Sequence, residues 1–312
     1  MKIIKSVESV LGQSTHVHIN EEKVRDFAEH FGGEKSGHWS RYSPLTSMQL
    51  DPQQKAAFLF VFNAISFSYW GNPKWTIEND GHTYNRGTWS MIAAIQRAMR
   101  EDIPILDSSY LENISVDELG HILRGNVEIP LLNERAAILR EVGSIVAQNY
   151  KGDFMSAITS VKRDSAPDLV DKIVYEFPSF NDSSKYHSEP VYFHKRAQLL
   201  VSDLNYFLKL GLQDIHQLTA CADYILPLVV RYWGILEYNS DLTFKVDNHI
   251  EIIKDSREEI EIRAGTIMAV EKIKKELHQP PLTSMQLNDY LWLTGDTIPQ
   301  TQFYHLTRTT AY

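Results

Sequence analysis

Asp223 is the residue of this 312-residue chain whose setting most suggests chemistry. Between His216 and Arg231 it is the only formally charged side chain, in the run QLTACADYILPLVV. A carboxylate among Ala220, Ala222, Ile225 and Leu226 is either paired or raised in pKa, because burying a lone charge is costly. Pro227 fits the first turn of a helix, which puts Asp223 just before a helix N-terminus whose dipole favours its anion. The plain alternative is an aspartate that caps a helix or pairs with Arg231 or Arg263.

A second group is Asn288-Asp289 in LNDYLWLTG, with Tyr290 and Trp292 on the same short segment. Aromatics beside a carboxylate suit an amine-bearing or heterocyclic ligand, whereas a solvated helix start is the plain reading. A third is Lys195-Arg196. Arg196 shares a helical row with Phe193, Leu200 and Asp203, which predicts a half-buried side chain ion-paired to a neighbouring helix. Lys195 is turned about 100° away along the helix and is a candidate for phosphate. His16 and His18 alternate as in a strand and have no third ligand nearby, so no metal site is expected. No G-x-G-x-x-G, Walker or G-x-S-x-G sequence occurs.

The elements that must position these residues read as helices. Apolar residues run almost all round the segment Pro52 to Tyr69, which predicts a central buried helix. The following KWTIENDGHTYN predicts a β-hairpin turning at Asn79-Asp80-Gly81, the one convincing strand pair. Trp70, Trp75, Tyr84 and Trp89 gather around it and read as packing. Further helices are expected from Trp89 to Arg100, Val116 to Arg124, Leu131 to Asn149, Asp153 to Arg163 and Asp168 to Tyr175. Ser115 and Glu118 have capping-box spacing, as do Ser256 and Glu259. The stripe Phe193, Ala197, Leu200, Leu204 and Leu208 predicts one long helix, and others are expected from Ser256 to Leu277 and from Leu287 to Leu293. The loop PSFNDSSKYHSEP, residues 178–190, is the expected boundary between two lobes. PLTSMQL occurs twice, from Pro44 and from Pro281, without a surrounding period, and reads as coincidence or a reused helix start. The fold class is all-α, mainly helical with one small β-hairpin.

Composition narrows the function classes. Hydrophobic residues make up 43% and charged residues 23%, which excludes a disordered chain. The formal net charge of -9 argues against a large nucleic-acid footprint and for a small substrate or a protein partner. The single cysteine, Cys221, excludes internal disulfides and multi-cysteine clusters and suggests a reducing, cytoplasmic setting. No signal peptide or membrane span is expected.

At these same segments the chain resembles the queuosine salvage protein family, the queuosine 5′-phosphate N-glycosylases. FNAISFSYW from Phe62, GHTYNRGTWSMIAAIQRA from Gly81 and IPILDSSY from Ile103 follow the family in order. So do YFHKRAQLLVSDL from Tyr192, TACADYILPLVV from Thr219, EIEIRAGTI from Glu259 and NDYLW from Asn288. The likeness covers about residue 55 to Tyr312. The resemblance implies an all-helical fold similar to the helix-hairpin-helix DNA glycosylases. It divides the chain into an extension, residues 1–50, and a glycosylase-like domain, residues 51–312.

The implied activity is hydrolysis of the N-glycosidic bond of queuosine 5′-phosphate, which releases queuine for transfer RNA, with no cofactor or metal. The family's catalytic aspartate lies in a Phe-Ala-Asp-Tyr sequence, which here reads Cys221-Ala222-Asp223-Tyr224 and carries the role to Asp223. Cys221 stands where the family has an aromatic. The family's second binding carboxylate falls on Asn288, with Asp289 one step later, and a further family aspartate is Leu293 here. A family histidine shortly before the central helix has no counterpart at that spacing, since His38 lies further upstream. Lys195 is the expected phosphate ligand. Asp223 would act as an anion facing an oxocarbenium-like transition state, as a nucleophile, or by activating water. Two alternatives remain beside this expectation: a glycosylase of polymeric nucleic acid, and a protein that sequesters queuine or a related deazapurine without cleaving.

Overall fold

The computed structural model describes residues 2–32, 37–47, 49–159, 165–277 and 282–312. In chain order the first half runs α1 (Lys2–Leu11), β1 (Val17–Ile19), α2 (Glu21–His30), α3 (Pro52–Ala64), β2 (Ile77–Asn79), β3 (His82–Tyr84), α4 (Gly87–Arg100), α5 (Ser108–Asn113), α6 (Val116–Ile122) and α7 (Leu132–Tyr150). There follow α8 (Phe154–Thr159), α9 (Ala166–Glu176), β4 (Ser183–Tyr186), β5 (Glu189–Tyr192), α10 (Lys195–Leu208), α11 (Ile225–Tyr232), β6 (Leu236–Tyr238), α12 (Ser240–Asp247), α13 (Arg257–Glu276) and α14 (Ser284–Thr294). The chain is mainly helical, as its periodicity predicts.

α3 is the centre of the first core. Asp51 and Gln54 close a capping box around Pro52 at its first turn, and every residue from Ala56 to Ala64 is buried. The helix stops five residues before the expected Tyr69. Beyond Ala64 the backbone turns, and the buried guanidinium of Arg135 on α7 collects the carbonyls of Ile65 and Phe67. Those carbonyls would otherwise continue the helix. α7, α8 and α10 pack around α3.

α13 organises the second half. From Glu259 to Ile267 it is buried all round, so its charged residues need partners. Glu261 accepts from the Ser14 hydroxyl at 2.6 Å, the His16 N–H at 2.7 Å and the Tyr186 hydroxyl at 2.7 Å, which ties the N-terminal arm to the helix. Gly265 admits the β1–β6 pair: a Cβ there would lie 2.8 Å from Val17 and 2.9 Å from Leu236 side-chain atoms. α1 packs on α13 beside β5.

The expected hairpin forms as β2–β3, with Asp80 at φ 51° and Gly81 at φ 72° supplying the left-handed turn. Two further antiparallel pairs correct the expectation of one. β4 pairs with β5 across His187 and Ser188, within the 178–190 loop, and β1 pairs with β6, His18 facing Glu237 from 219 positions away. The first has a turn without glycine, and the second has strands of three residues whose partners local pattern cannot find. Ser115 and Glu118 form the full capping box, whereas Ser256 caps α13 but Glu259 returns its bond to Asp255. Thr283 and Gln286, from the second PLTSMQL copy, box the start of α14, while the first copy enters a short 3-10 turn at Pro44–Ser47. That second copy begins outside the described residues, as do the last residues of the helix expected to reach Arg163.

Candidate active site

A cleft of about 1060 Å³ opens where the α3-centred core meets the core of α11, α13 and α14. Asp223, Lys195, Cys221, Asn288 and Asp289 all line it. Residues up to 94 positions apart in sequence are thus brought to one wall, Lys195 at the start of α10 and Asp289 on α14.

Asp223 is both cap and cleft residue. Its Oδ1 accepts from the backbone N–H groups of Ile225 at 2.8 Å and Leu226 at 3.0 Å, the unpaired donors of the first turn of α11. It does not pair with Arg231 or Arg263, which bind Asp247 and Asp182. Burial raises its pKa, opposed by the nearby Lys195 ammonium and by the two backbone donors.

Lys195 is 7% exposed. Its backbone N–H donates to Asp182 Oδ2 at 3.0 Å. Burial lowers its pKa, and Asp223 is the largest influence raising it again. Among the described residues no carboxylate lies within salt-bridge distance of its ammonium. Arg196 corrects the expectation of a half-buried ion pair. It is 1% exposed, and its guanidinium ends on the carbonyls of Ala64 and Ser179, against the Phe180 ring.

The Cys221 thiol is buried, 3.5 Å from the Lys195 carbonyl oxygen and 3.9 Å from Met285 Sδ. Burial pushes its pKa up, so it is a neutral wall. Asn288 accepts the Cys221 N–H on Oδ1 at 2.9 Å and donates from Nδ2 to Asp289 Oδ1 at 3.2 Å. Asp289 Oδ2 accepts the Trp39 backbone N–H at 3.2 Å. Burial pushes the Asp289 pKa up to about 6, with His38 opposing and Asp203 adding to the rise.

Sequence reasoning missed the other half of this wall. Trp39 lines the cleft and donates from Nε1 to Asp203 Oδ1 at 2.8 Å, while Asn63 on α3 donates to the other oxygen of Asp203 at 3.0 Å. His38 stacks on Tyr206 with ring centroids 3.8 Å apart, and its Nε2 lies 3.4 Å from Asp203 Oδ1. His38 therefore stands behind the cleft wall, against the lining residue Asp203, despite lying 14 residues before α3. A usable signal for Asp203 lay in its place on the apolar row of α10; nothing local marks His38. Across the cleft, Arg86 stacks on Trp292 at 3.7 Å, pairs with Asp296 and donates to the Trp292 carbonyl at 3.1 Å. Of the hairpin aromatics, Trp70 and Trp75 line the cleft, whereas Trp89 packs against Trp39 and Trp292.

This wall offers an anion held by a helix start, two cations near it, and a carboxylate–amide pair under aromatic cover. It suits a nucleoside-sized ligand with a phosphate and a polar or cationic base. Residues 46–312 match the family model described as queuosine salvage protein. The chain belongs to that family.

A relative from Sphaerobacter thermophilus, named queuosine 5′-phosphate N-glycosylase/hydrolase, is 38% identical over 99% of this chain and 97% of its own length. Proteins of the same name from Bos taurus and Nematostella vectensis are 32% and 35% identical, covering 92% and 75% of this chain and 91% and 72% of their own lengths. Family membership extends over the whole cleft wall on α3, α10, α11 and α14, since the matched residues include all four helices. It leaves His38 and Trp39 just before the matched region. Among the described residues, no helix is long and apolar enough to cross a membrane.

Proposed function

We propose that this protein hydrolyses the N-glycosidic bond of queuosine 5′-phosphate, yielding queuine and ribose 5-phosphate. The observation that carries the reading is Asp223: a carboxylate in a nucleoside-sized cleft, one oxygen held by two amides, in a chain related over 99% of its length to a protein of that name.

Bond cleavage sends the electron pair of the C1′–N bond to the base and leaves positive charge on the ribose. A preorganised carboxylate lowers the energy of that cation. With Oδ1 engaged by α11, the other oxygen faces the sugar. Water adds to C1′, its proton passes to Asp223, and that proton then neutralises the departing base. Queuine is a 7-deazapurine, so the ring position that purine glycosidases can protonate is a carbon, which shifts the burden to the sugar cation.

Asp289 and Asn288 hold the amine and diol of the base, Cys221 is a neutral surface beside it, and Lys195, with Arg86, takes the substrate phosphate. Residues 51–312 supply the catalytic groups and the extension 1–50 supplies the Trp39 wall. The fold is read as similar to that of the helix-hairpin-helix DNA glycosylases, turned to a small nucleotide in the cytoplasm rather than to a polymer.

The test is incubation of the purified protein with queuosine 5′-phosphate, with free queuine followed by chromatography and Asp223→Asn run in parallel. Release by the wild type and none by the variant supports the reading. Tight binding of queuine without release from the nucleotide would replace it with a sequestering protein. Salt-sensitive binding to oligonucleotides, with base release from them, would replace it with a polynucleotide glycosylase.

A further inference from the structure

Arg263 takes no part in the cleft wall, yet it binds the backbone beside Asp223 directly and the backbone of Lys195 through Asp182. It lies on α13 and is 1% exposed. Its Nη1 and Nη2 donate to Asp182 Oδ1 and Oδ2 at 2.8 and 2.6 Å, and its Nε donates to the Ala222 carbonyl at 3.3 Å. The Phe193 ring lies 3.9 Å and the Tyr312 ring 4.5 Å from the guanidinium carbon, and Glu259 stands 3.6 Å from Nη1.

Asp182 passes the constraint on. Its backbone carbonyl accepts the N–H groups of Phe193 and His194, and its Oδ2 accepts the Lys195 N–H at 3.0 Å. His194 has φ 48°, a left-handed conformation that a β-carbon disfavours and that needs such anchoring. The direction in which Lys195 leaves α10 is therefore set by Asp182. On the other side, the Ala222 carbonyl is one peptide from Asp223.

We infer that Arg263, acting with Asp182, is a positioning residue that sets the separation of the Asp223 carboxylate and the Lys195 ammonium. A planar fork with a third donor on its edge can hold two acceptors in a fixed relation; a lysine at the same place cannot. Stability alone is a poor account of the pair, because buried ion pairs are often no more stabilising than apolar residues of equal volume. The segments also keep an independent tie, since Gln198 on α10 accepts the Thr219 N–H at 2.8 Å, so the fold has a hold on the loop without Arg263.

The inference rests on the proposed glycosidase reading for its kinetic consequence and on geometry alone for its spectroscopic one. The groups facing the Asp223 carboxyl are Lys195 on α10, Arg86 at the start of α4, and Cys221 and Tyr224 of its own loop. Of these, only Lys195 and the loop are held through Arg263.

The experiment is Arg263→Lys, with kcat and KM for queuosine 5′-phosphate across pH and with the Asp223 carboxyl titrated by carbon-13 NMR, its signal assigned by its loss in Asp223→Asn. The expected result is a fall in kcat of about 10- to 100-fold, with KM raised by a smaller factor because Lys195 is also the proposed phosphate ligand. The acidic limb of the rate profile and the Asp223 titration move together to higher pH, as Lys195 withdraws. A lower melting temperature with kcat and the Asp223 titration unchanged would overturn the inference and leave Arg263 a structural ion pair.

If Arg263→Lys does not fold, Asp182→Asn decides by the same readouts, since it keeps the volume and one acceptor for Lys195. If the wild type releases no queuine, the glycosidase reading fails. The Asp223 titration in the variant still decides the positioning claim.

Discussion

Asn288 holds the loop that carries Asp223: its side-chain oxygen accepts the Cys221 N–H at 2.9 Å, across 67 positions of sequence. Its amide then turns to Asp289, so one neutral residue joins the α14 carboxylate to the backbone beside the α11 cap. An aspartate at 288 could accept the same N–H but would put a second negative charge against Asp289.

Removing that link should be costly. Asn288→Ala leaves the buried Cys221 N–H without its acceptor, a loss of about 1–3 kcal/mol for an unsatisfied buried donor. Urea denaturation should show a lower midpoint with an unchanged slope, and queuine release should slow. An unchanged midpoint would mean that the loop does not depend on α14.

Asp223→Asn should separate chemistry from folding. Asparagine caps helices as well as aspartate does, so its oxygen can still accept from Ile225 and Leu226. Release of queuine should fall by about 10²- to 10³-fold, the range seen when a single electrostatic group is removed. Thermal stability should hold or rise, because a buried carboxylate with a raised pKa is itself unfavourable when ionised. A large loss of stability would make Asp223 chiefly a cap.

The pH dependence follows from the same shift. Burial raises the Asp223 pKa, and the proposed mechanism uses the anion, so kcat/KM should fall as pH drops through that raised value. A rate profile flat from pH 4 to pH 8, roughly spanning the ordinary and raised carboxylate ranges, would exclude an ionised Asp223 from the rate-limiting step.

Asp289 should show binding and stability pulling in opposite directions. Its pKa rises from 3.8 to about 6 on folding, so its contribution to stability is fully present below the unfolded value and is lost as pH rises through about 6. At pH 8 the ionised, buried carboxylate costs the fold on the order of 3 kcal/mol. Asp289→Asn should therefore raise the melting temperature at pH 8 and leave it nearly unchanged near pH 4, while weakening queuine binding about 10-fold or more. Equal melting shifts at both pH values would show that the charge is not what matters there.

Much of the helical scaffold was legible because periodicity is local. The stripe on α10 and the cap spacing at Ser115 and Glu118 need only neighbours in sequence. Asp223 stood out for the same reason, as one charge in an apolar run. What escaped was decided at long range: α3 ends where Arg135, 70 positions on, takes the carbonyl of Ile65, and β1 finds its partner in β6. Arg196 looked like half of an ion pair because its row carries a charge, yet the nearest acceptors in three dimensions are main-chain carbonyls. His38 and Trp39 gave no sign of their place, since their contacts with Asp203 and Asp289 span 164 positions or more.

Those spans bear on how the protein comes into being. The Trp39–Asp289 bond closes a loop of 250 residues, and contacts of such separation form late because chain entropy must be lost before they repay it. A chain leaving the ribosome can fold α3 and α7 early, but its cleft has one wall until α14 emerges. Each molecule therefore completes its cleft only once α14 has emerged, and until then Trp39 and the start of α10 are exposed surface that a chaperone or protease can reach.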